Sequence, residues 1–140
     1  MPNPPHRPPS ATTADALAGR PVLVVDDDRD IAQSLCDLLQ LAGFRTLVAY
    51  DGDEAVEVAL AQRPCCVILD LHMPRMGGVA ACARIRQQVR REEIMLVALT
   101  GSDKATDREA AELAGFDHFL VKPVMLSALL RVLQPPAGRT

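Results

Sequence analysis

The chain has 140 residues and a formal charge of −3, and 49% of it is hydrophobic, yet it holds no Trp, one Tyr and three Phe. That suffices for one domain with an aliphatic core, and the mild acidity gives no general attraction to nucleic acid or to an anionic membrane. No apolar run approaches the roughly 18 residues of a membrane span, and the opening MPNPPHRPPS lacks the apolar segment of a secretory signal, so a cytoplasmic protein is expected.

Residues 1–19 carry five prolines in their first nine positions. Proline fixes the backbone and small polar residues add little to a core, so this stretch is read as a disordered extension. Regular patterning begins at Pro21. VLVV (22–25) is short, β-branched and apolar, as a strand covered on both faces should be. It runs into Asp26, Asp27 and Asp28. A helical stripe of Ile31, Leu35, Leu38 and Ala42 follows, stopped by Gly43. FRTLVAY (44–50) reads as a second strand, and DGDEAVEVALAQR (51–63) as a helix with acids at its start and Arg at its end, broken by Pro64. CCVILD (65–70) is a third strand, closing on Asp70.

After the turn HMPRMGG a helix is predicted over 79–90, with Arg84, Arg86, Arg90 and Arg91 as a solvated basic face without interleaved aromatics. IMLVALT (94–100) is a fourth strand, ending on Thr100. Thr106 and Glu109 fit a capping box for a helix that stops near Gly115. DHFLVKP (117–123) is the fifth strand. MLSALLRVL (125–133) is a last helix with Leu129, Leu130 and Leu133 toward the sheet, stopped by Pro135 and Pro136. The domain is thus bounded at 20–134, with 135–140 a short tail. Cys36, Cys65, Cys66 and Cys82 show no C-x-x-C and no paired His spacing, so reduced thiols packed as small hydrophobes are expected.

Strands alternating with helices imply a parallel sheet covered on both faces, with ligands at the carboxyl ends of the strands. That edge collects Asp26, Asp27, Asp70, Thr100 and Lys122. Carboxylates at ~4 Å repel by roughly 4 kcal/mol at an effective dielectric near 20, so the cluster needs a cation. Oxygen donors without Cys or His side chains suit Mg²⁺. Asp70, on a central strand, is the candidate nucleophile toward a phosphoryl group, giving an acyl phosphate. Lys122 and Thr100 are placed to hold its oxygens. Asp28 or Asp30 is enough to cap the following helix. His72 and His118 are read as loop and strand-edge residues rather than side-chain metal ligands.

Taken together, VLVVDDDRDI, VILDLHMPRMGG, VALTG and FLVKPV resemble the receiver domain of two-component response regulators, of the chemotaxis-regulator kind, over about residues 20–134. The resemblance implies a flavodoxin-like, doubly wound (βα)5 fold with a five-stranded parallel sheet in the order 2-1-3-4-5. It also implies Mg²⁺-dependent phosphorylation of Asp70 by a histidine kinase or histidine phosphotransfer protein. Asp26 and Asp27 fall on the family's acidic pair, and the backbone carbonyl of His72 on a further metal ligand. Thr100 falls on the switch hydroxyl and Lys122 on the family's lysine, in a cis Lys122–Pro123 peptide. Phe119 takes the place of the switch aromatic, often Tyr in the family, and has no hydroxyl to offer a partner. Gly101 leaves the phosphoryl group accessible, and His72 and Ser102, flanking the water route, are expected to tune its lifetime.

Such a module accepts and slowly loses a phosphoryl group rather than turning over a substrate. With nothing after Leu133 to form an output domain, its effect is expected to pass to a downstream protein by contact, without nucleic acid or membrane. The face made by the last two helices and the fifth strand is the candidate docking or dimer surface, marked by Leu126 or Val132 if exposed beside Phe119. The chain could stand alone or be the receiver segment of a hybrid kinase. Two rivals are weighed against it. A haloacid-dehalogenase-type phosphatase would use Asp70 as nucleophile, but it needs an acid where His72 stands and a cap domain. A constitutive receiver-shaped scaffold would usually lack an acid or the lysine, and neither is missing.

Overall fold

A computed structural model describes residues 20–101 and 104–133. The extension at 1–19, the tail at 135–140 and Ser102 lie outside the described residues. The described elements are β1 (Val22–Val25), α1 (Arg29–Leu41), β2 (Thr46–Ala49), α2 (Gly52–Gln62), β3 (Cys66–Asp70), α3 (Gly78–Arg86), β4 (Met95–Thr100), α4 (Ala105–Ala114), β5 (His118–Val121) and α5 (Leu126–Leu133). The strands form one parallel sheet in the order β2-β1-β3-β4-β5. This is the flavodoxin-like topology that the family resemblance implied.

Side chains alternate across the pleat, so each strand feeds two cores. Leu23, Val25, Val67, Leu69, Leu96 and Ala98 meet Ala55, Ala59, Ala81, Ile85 and Ala111 of α2, α3 and α4 on one face. Val22, Val24, Ile68, Val97 and Leu99 meet Ala32, Leu35, Leu39, Leu129 and Leu133 of α1 and α5 on the other. Central β1 and β3 are buried at every residue, while the edge strand β5 is only partly covered. All four cysteines are free and buried. Burial pushes the Cys82 thiol up to about 12 and holds Cys66 well above its ordinary value, so neither is a thiolate at neutral pH.

The local signals were used unevenly. Asp28 caps α1, accepting from the N–H groups of Asp30 (3.0 Å) and Ile31 (3.2 Å). A reciprocal cap forms at α2: Asp51 accepts from the Glu54 N–H at 2.8 Å and Glu54 from the Tyr50 N–H at 2.9 Å. The box expected at Thr106 and Glu109 does not mark a helix start. Lys104 is the N-cap of α4, and Thr106 already lies inside its first turn. The α1 stripe is also rotated from the expected one. Ala32, Leu35, Cys36 and Leu39 face the sheet, which leaves Ile31 and Leu38 half-buried on the flank.

Helix α3 ends at Arg86, not Arg90, and Arg86 is not on a solvated face. Its guanidinium donates to the carbonyls of Ile94 (2.7 Å) and Gly115 (3.0 Å) and to Asp117 Oδ2 (2.7 Å). Asp117 also accepts from the Leu96 N–H at 2.8 Å and faces Arg91 at 3.5 Å. This cluster ties α3, the start of β4 and the α4–β5 connection together at the amino-terminal edge of the sheet. Gly115, at φ +112°, sits so close that a Cβ there would lie 2.9 Å from Arg86 Cγ.

Candidate functional site

The parallel register delivers one polar residue at the carboxyl end of each of four strands. Val25 pairs with Leu69, Leu69 with Ala98, and Thr100 with Val121. Asp26 therefore follows β1, Asp70 closes β3, Thr100 closes β4 and Lys122 follows β5, all on one edge. Asp26, Asp70 and Thr100 are buried (1%, 4% and 0% exposed) although the first two carry charge. Asp27 is exposed at the mouth. A carboxylate oxygen from each of Asp26, Asp27 and Asp70 lies within 4.8 Å of the others.

Backbone turns fix the two buried acids. Asp26 Oδ1 accepts from the Asp28 N–H at 2.9 Å, and Asp70 Oδ1 accepts from the His72 N–H at 3.2 Å. Their other oxygens share one ammonium, Lys122 Nζ, at 3.0 Å from Asp26 Oδ2 and 3.6 Å from Asp70 Oδ2. Burial raises the Asp70 pKa, the His72 N–H lowers it, Asp26 raises it, Lys122 lowers it and Asp27 raises it, with a net upward shift. Burial pulls Lys122 down, but Asp26 and Asp70 outweigh it and hold the ammonium above its ordinary value. Three carboxylates therefore face one cation.

Room remains for a second cation. Asp26 Oδ2 is buried without a well-aligned hydrogen bond, its ammonium neighbour being shared with Asp70. An all-oxygen donor set with two buried carboxylates and one exposed one fits a hard divalent ion that keeps part of its water shell. Space is left above the site as well: a Cβ on Gly101 would meet nothing within 4 Å. Gly78 has the opposite role. Its N–H donates to the Leu71 carbonyl at 3.1 Å, and a Cβ there would collide with the carbonyl oxygen of Asp70. Only glycine lets α3 approach the end of β3 this closely.

Around this centre the other expected residues take their places. The Lys122–Pro123 peptide is cis. Phe119 is half-buried against the core, and the Arg108 guanidinium sits 4.6 Å from the centre of its ring. His72 is exposed, its Nε2 3.8 Å from Asp107 Oδ2 on α4. Neither Asp107 nor Arg108 was singled out from the sequence, since both contacts join segments that no local pattern links. Leu126 and Val132 are half-buried and do not mark the α4–β5–α5 face. The exposed large apolar residues on or beside these elements are instead Leu113, Met125 and Val121, at 85%, 66% and 37% exposed, and of α4 it is Arg108 that stands over Phe119. The flank of α1 finds its own use: Ile31, Leu35 and Leu38 with Lys122, Pro123 and Val124 line a groove of about 520 Å³ beside the cluster. No helix among the described residues is long and apolar enough to cross a membrane.

Comparison with known proteins agrees with this geometry. The family model described as "Response regulator receiver domain" matches residues 22–134. A curated relative, the response regulator MprA of Mycobacterium ulcerans, is 36% identical over 119 residues, 85% of this chain and 50% of the relative. The chain thus spans about half the length of the curated relatives it matches, and the expectation of no nucleic-acid contact draws no support from them. The receiver domain of the sensor histidine kinase PA1611 from Pseudomonas aeruginosa, solved with magnesium coordinated in its active-site cleft, superposes with a TM-score of 0.75. It is 31% identical, over 83% of this chain and 95% of that one. The receiver domain of Saccharomyces cerevisiae Ssk1, solved with the histidine phosphotransfer protein Ypd1, gives a TM-score of 0.74 at 27% identity, over 81% and 86% of the two chains.

Proposed function

The chain belongs to the response regulator receiver domain family, and from that premise we propose that it takes a phosphoryl group onto Asp70 from a histidine kinase or histidine phosphotransfer protein. An Asp70 carboxylate oxygen bonds to phosphorus, the phosphorus–nitrogen bond of the donor breaks, and the imidazole leaves with that electron pair. Lys122 stays as the fixed positive charge beside the transferred group, and Thr100 supplies a hydroxyl toward one of its oxygens. Asp26, Asp27, Asp70 and the His72 carbonyl are the ligands proposed for Mg²⁺, which, when bound, neutralises the acids and the incoming phosphoryl charge.

The observation that carries this reading is the shared ammonium. One lysine spans the two buried acids, while a third acid is left at the mouth. A cluster built for stability alone would be neutralised, as the one around Asp117 is. The groove between α1 and Pro123 borders Lys122 and is the place proposed for the donor to dock. Readout is proposed to pass through Thr100 and Phe119 to the α4–β5–α5 face, beside which Val121 and Met125 are exposed. A downstream protein or a second copy of the chain would meet it there. Whether this occurs in a free regulator, in a longer one or within a hybrid kinase depends on what the module is joined to.

The phosphatase alternative finds no acid at position 72, where His72 stands. The test is covalent labelling. Acetyl phosphate with Mg²⁺ should add about 80 Da, the mass of one phosphoryl group, to the wild type and nothing to Asp70→Asn. Equal labelling of both proteins, or none of the wild type, would end the proposal.

A further inference from the structure

The amino-terminal edge of the sheet carries an excess of positive charge gathered around Glu93. Arg63 Nη1 lies 3.8 Å from one of its carboxylate oxygens and Arg90 Nη2 3.7 Å from the other. The Glu93 carbonyl accepts from Arg20, whose guanidinium also donates to the carbonyls of Arg63 (3.2 Å) and Pro64 (3.0 Å). Among the described residues that guanidinium meets no carboxylate. Arg91 lines the same cleft, 3.5 Å from an Asp117 that Arg86 already engages at 2.7 Å. Five guanidiniums thus gather around three carboxylates, those of Glu92, Glu93 and Asp117. The cleft encloses about 350 Å³, with the buried Cys65 and the half-buried Met95 in its lining. Arg63, Arg90 and Arg91 each keep more than half of the side chain exposed. Their contacts at 3.5–3.8 Å are too long for hydrogen bonds, so their N–H groups are open to a closer partner.

We propose that this edge docks an acidic, extended segment of another protein, whose carboxylates take the exposed guanidiniums and whose aliphatic side chain enters the cleft beside Cys65 and Met95. Arginine pairs a carboxylate through two parallel N–H bonds, a closer fit than the long contacts it makes here. Arg63 caps the end of α2, where the helix dipole favours a cation, but that effect does not account for Arg20 and Arg91 converging on one cleft. Two observations favour a polypeptide over a nucleic acid. Glu92 and Glu93 interrupt the positive surface; they repel a uniformly charged phosphate chain but can accept from the N–H groups of a peptide. No Phe, Tyr or Trp lines the cleft for a base to stack on. Residues 1–19 hold one acid, Asp15, and residues 134–140 hold none, so neither stretch supplies the segment. The surface lies at the opposite end of the strands from Asp70, so a partner seated there leaves the carboxyl-terminal edge open. The proposal is independent of phosphorylation at Asp70.

Binding of a short fluorescein-labelled peptide of alternating glutamate and leucine to the full chain is followed by fluorescence anisotropy at one fixed salt concentration. The wild type should bind it saturably, and the same peptide with lysine in place of glutamate should not bind. Arg63→Ala combined with Arg90→Ala should weaken the affinity about three- to tenfold, as the loss of two exposed charge pairs supplies. Positions 63, 90 and 93 are exposed, so these variants should fold. Glu93→Gln should strengthen binding about two- to fivefold, because it removes the acid that the peptide has to displace; arginines of purely structural use would give no such gain. No binding by the wild type, unchanged affinity in the double variant, unchanged or weaker binding in Glu93→Gln, or equal binding of the lysine peptide would each overturn the proposal. A duplex DNA that displaces the peptide at lower concentration would overturn it as well, by making the edge a phosphate-binding surface.

Discussion

The two edges of the sheet each gather charge, part-buried at one and buried at the other, and they handle it in opposite ways. At the amino-terminal edge Asp117 meets Arg86, Arg91 and the Leu96 N–H, while the remaining Arg86 donors reach two carbonyls. Its charge is matched. At the carboxyl-terminal edge Asp26 and Asp70 are buried almost completely, yet they share Lys122 with each other and have Asp27 beside them. One cluster fastens three segments of chain. The other is held in a state that the fold alone does not favour, and it is the one proposed to take up a cation and a phosphoryl group.

The largest expected effect comes from removing the proposed phosphoacceptor. Asp70→Asn should lose all labelling, and the same substitution should stabilise the metal-free protein by about 1 kcal/mol, as relief of a strained functional site commonly does. The sign follows from the raised Asp70 pKa. The folded state binds that proton more tightly than the unfolded chain, so ionising Asp70 costs stability. The cost appears as pH rises past the unfolded value of about 4 and is complete above the folded one. The stability gap between Asp70→Asn and the wild type should therefore widen over that interval and then stay constant, as urea unfolding at a series of pH values can show. A gap that narrows with rising pH would mean that Asp70 is stabilised as an anion and that the two edges do not differ.

The reverse is expected at the other edge. Arg86→Ala leaves Asp117 and two carbonyls without their main donors and should cost about 2–4 kcal/mol in urea unfolding. Once folded, the variant should label on Asp70 at the wild-type rate. A labelling defect larger than the fraction unfolded would show that the Asp117 cluster reaches the site.

What the sequence displayed and what it hid follow the same division. Strand ends were legible because burial of short β-branched runs, a parallel sheet and four terminal residues of the right chemistry all act through local pattern. Asp26, Asp70, Thr100 and Lys122 could be put on one edge before any coordinate was known. Arg86 was misplaced because a part-buried, paired guanidinium and a solvated one look identical in a helical stretch; its partners lie 8 to 31 residues away. The Thr106 box failed for a related reason: α4 opens two residues earlier than a cap at Thr106 requires, at Ala105, and a pattern of four residues cannot fix a helix start by itself. The docking face was to be marked by Leu126 or Val132 if exposed, but both are half-buried, because which side of a short amphipathic helix meets the sheet depends on its docking angle.

A cation should complete the under-neutralised edge and leave the other untouched. Saturating Mg²⁺ should raise the stability of the wild type by about 2.7 kcal/mol at a hundredfold excess over its dissociation constant, through binding to the folded state alone. Asp26→Asn should lose most of that increment, whereas Arg86→Ala should keep all of it despite its lower starting point. The readout is the change in thermal midpoint with added MgCl₂. Equal increments in wild type and Asp26→Asn would place the ion elsewhere.

The smallest effect tests how the under-neutralised edge speaks to the rest of the molecule. Phe119 lacks the hydroxyl with which a tyrosine could fix its outward position, but Arg108 lies over its ring at 4.6 Å. A partly exposed contact of this kind supplies about 0.5–1 kcal/mol. If phosphorylation draws Phe119 inward behind Thr100, that contact is lost on the way, and Arg108 favours the unmodified state by the same amount. Arg108→Ala should then bind beryllofluoride, a phosphoryl mimic, about two- to fivefold more tightly, with Arg108→Lys between it and the wild type. Because the substitution touches neither an acid nor Lys122, a change in affinity can only come through the conformational balance. An unchanged or weaker affinity in Arg108→Ala would mean that the aromatic ring does not move against Arg108, and the proposed route from the acidic edge to the exposed Val121 and Met125 would have to run through other side chains.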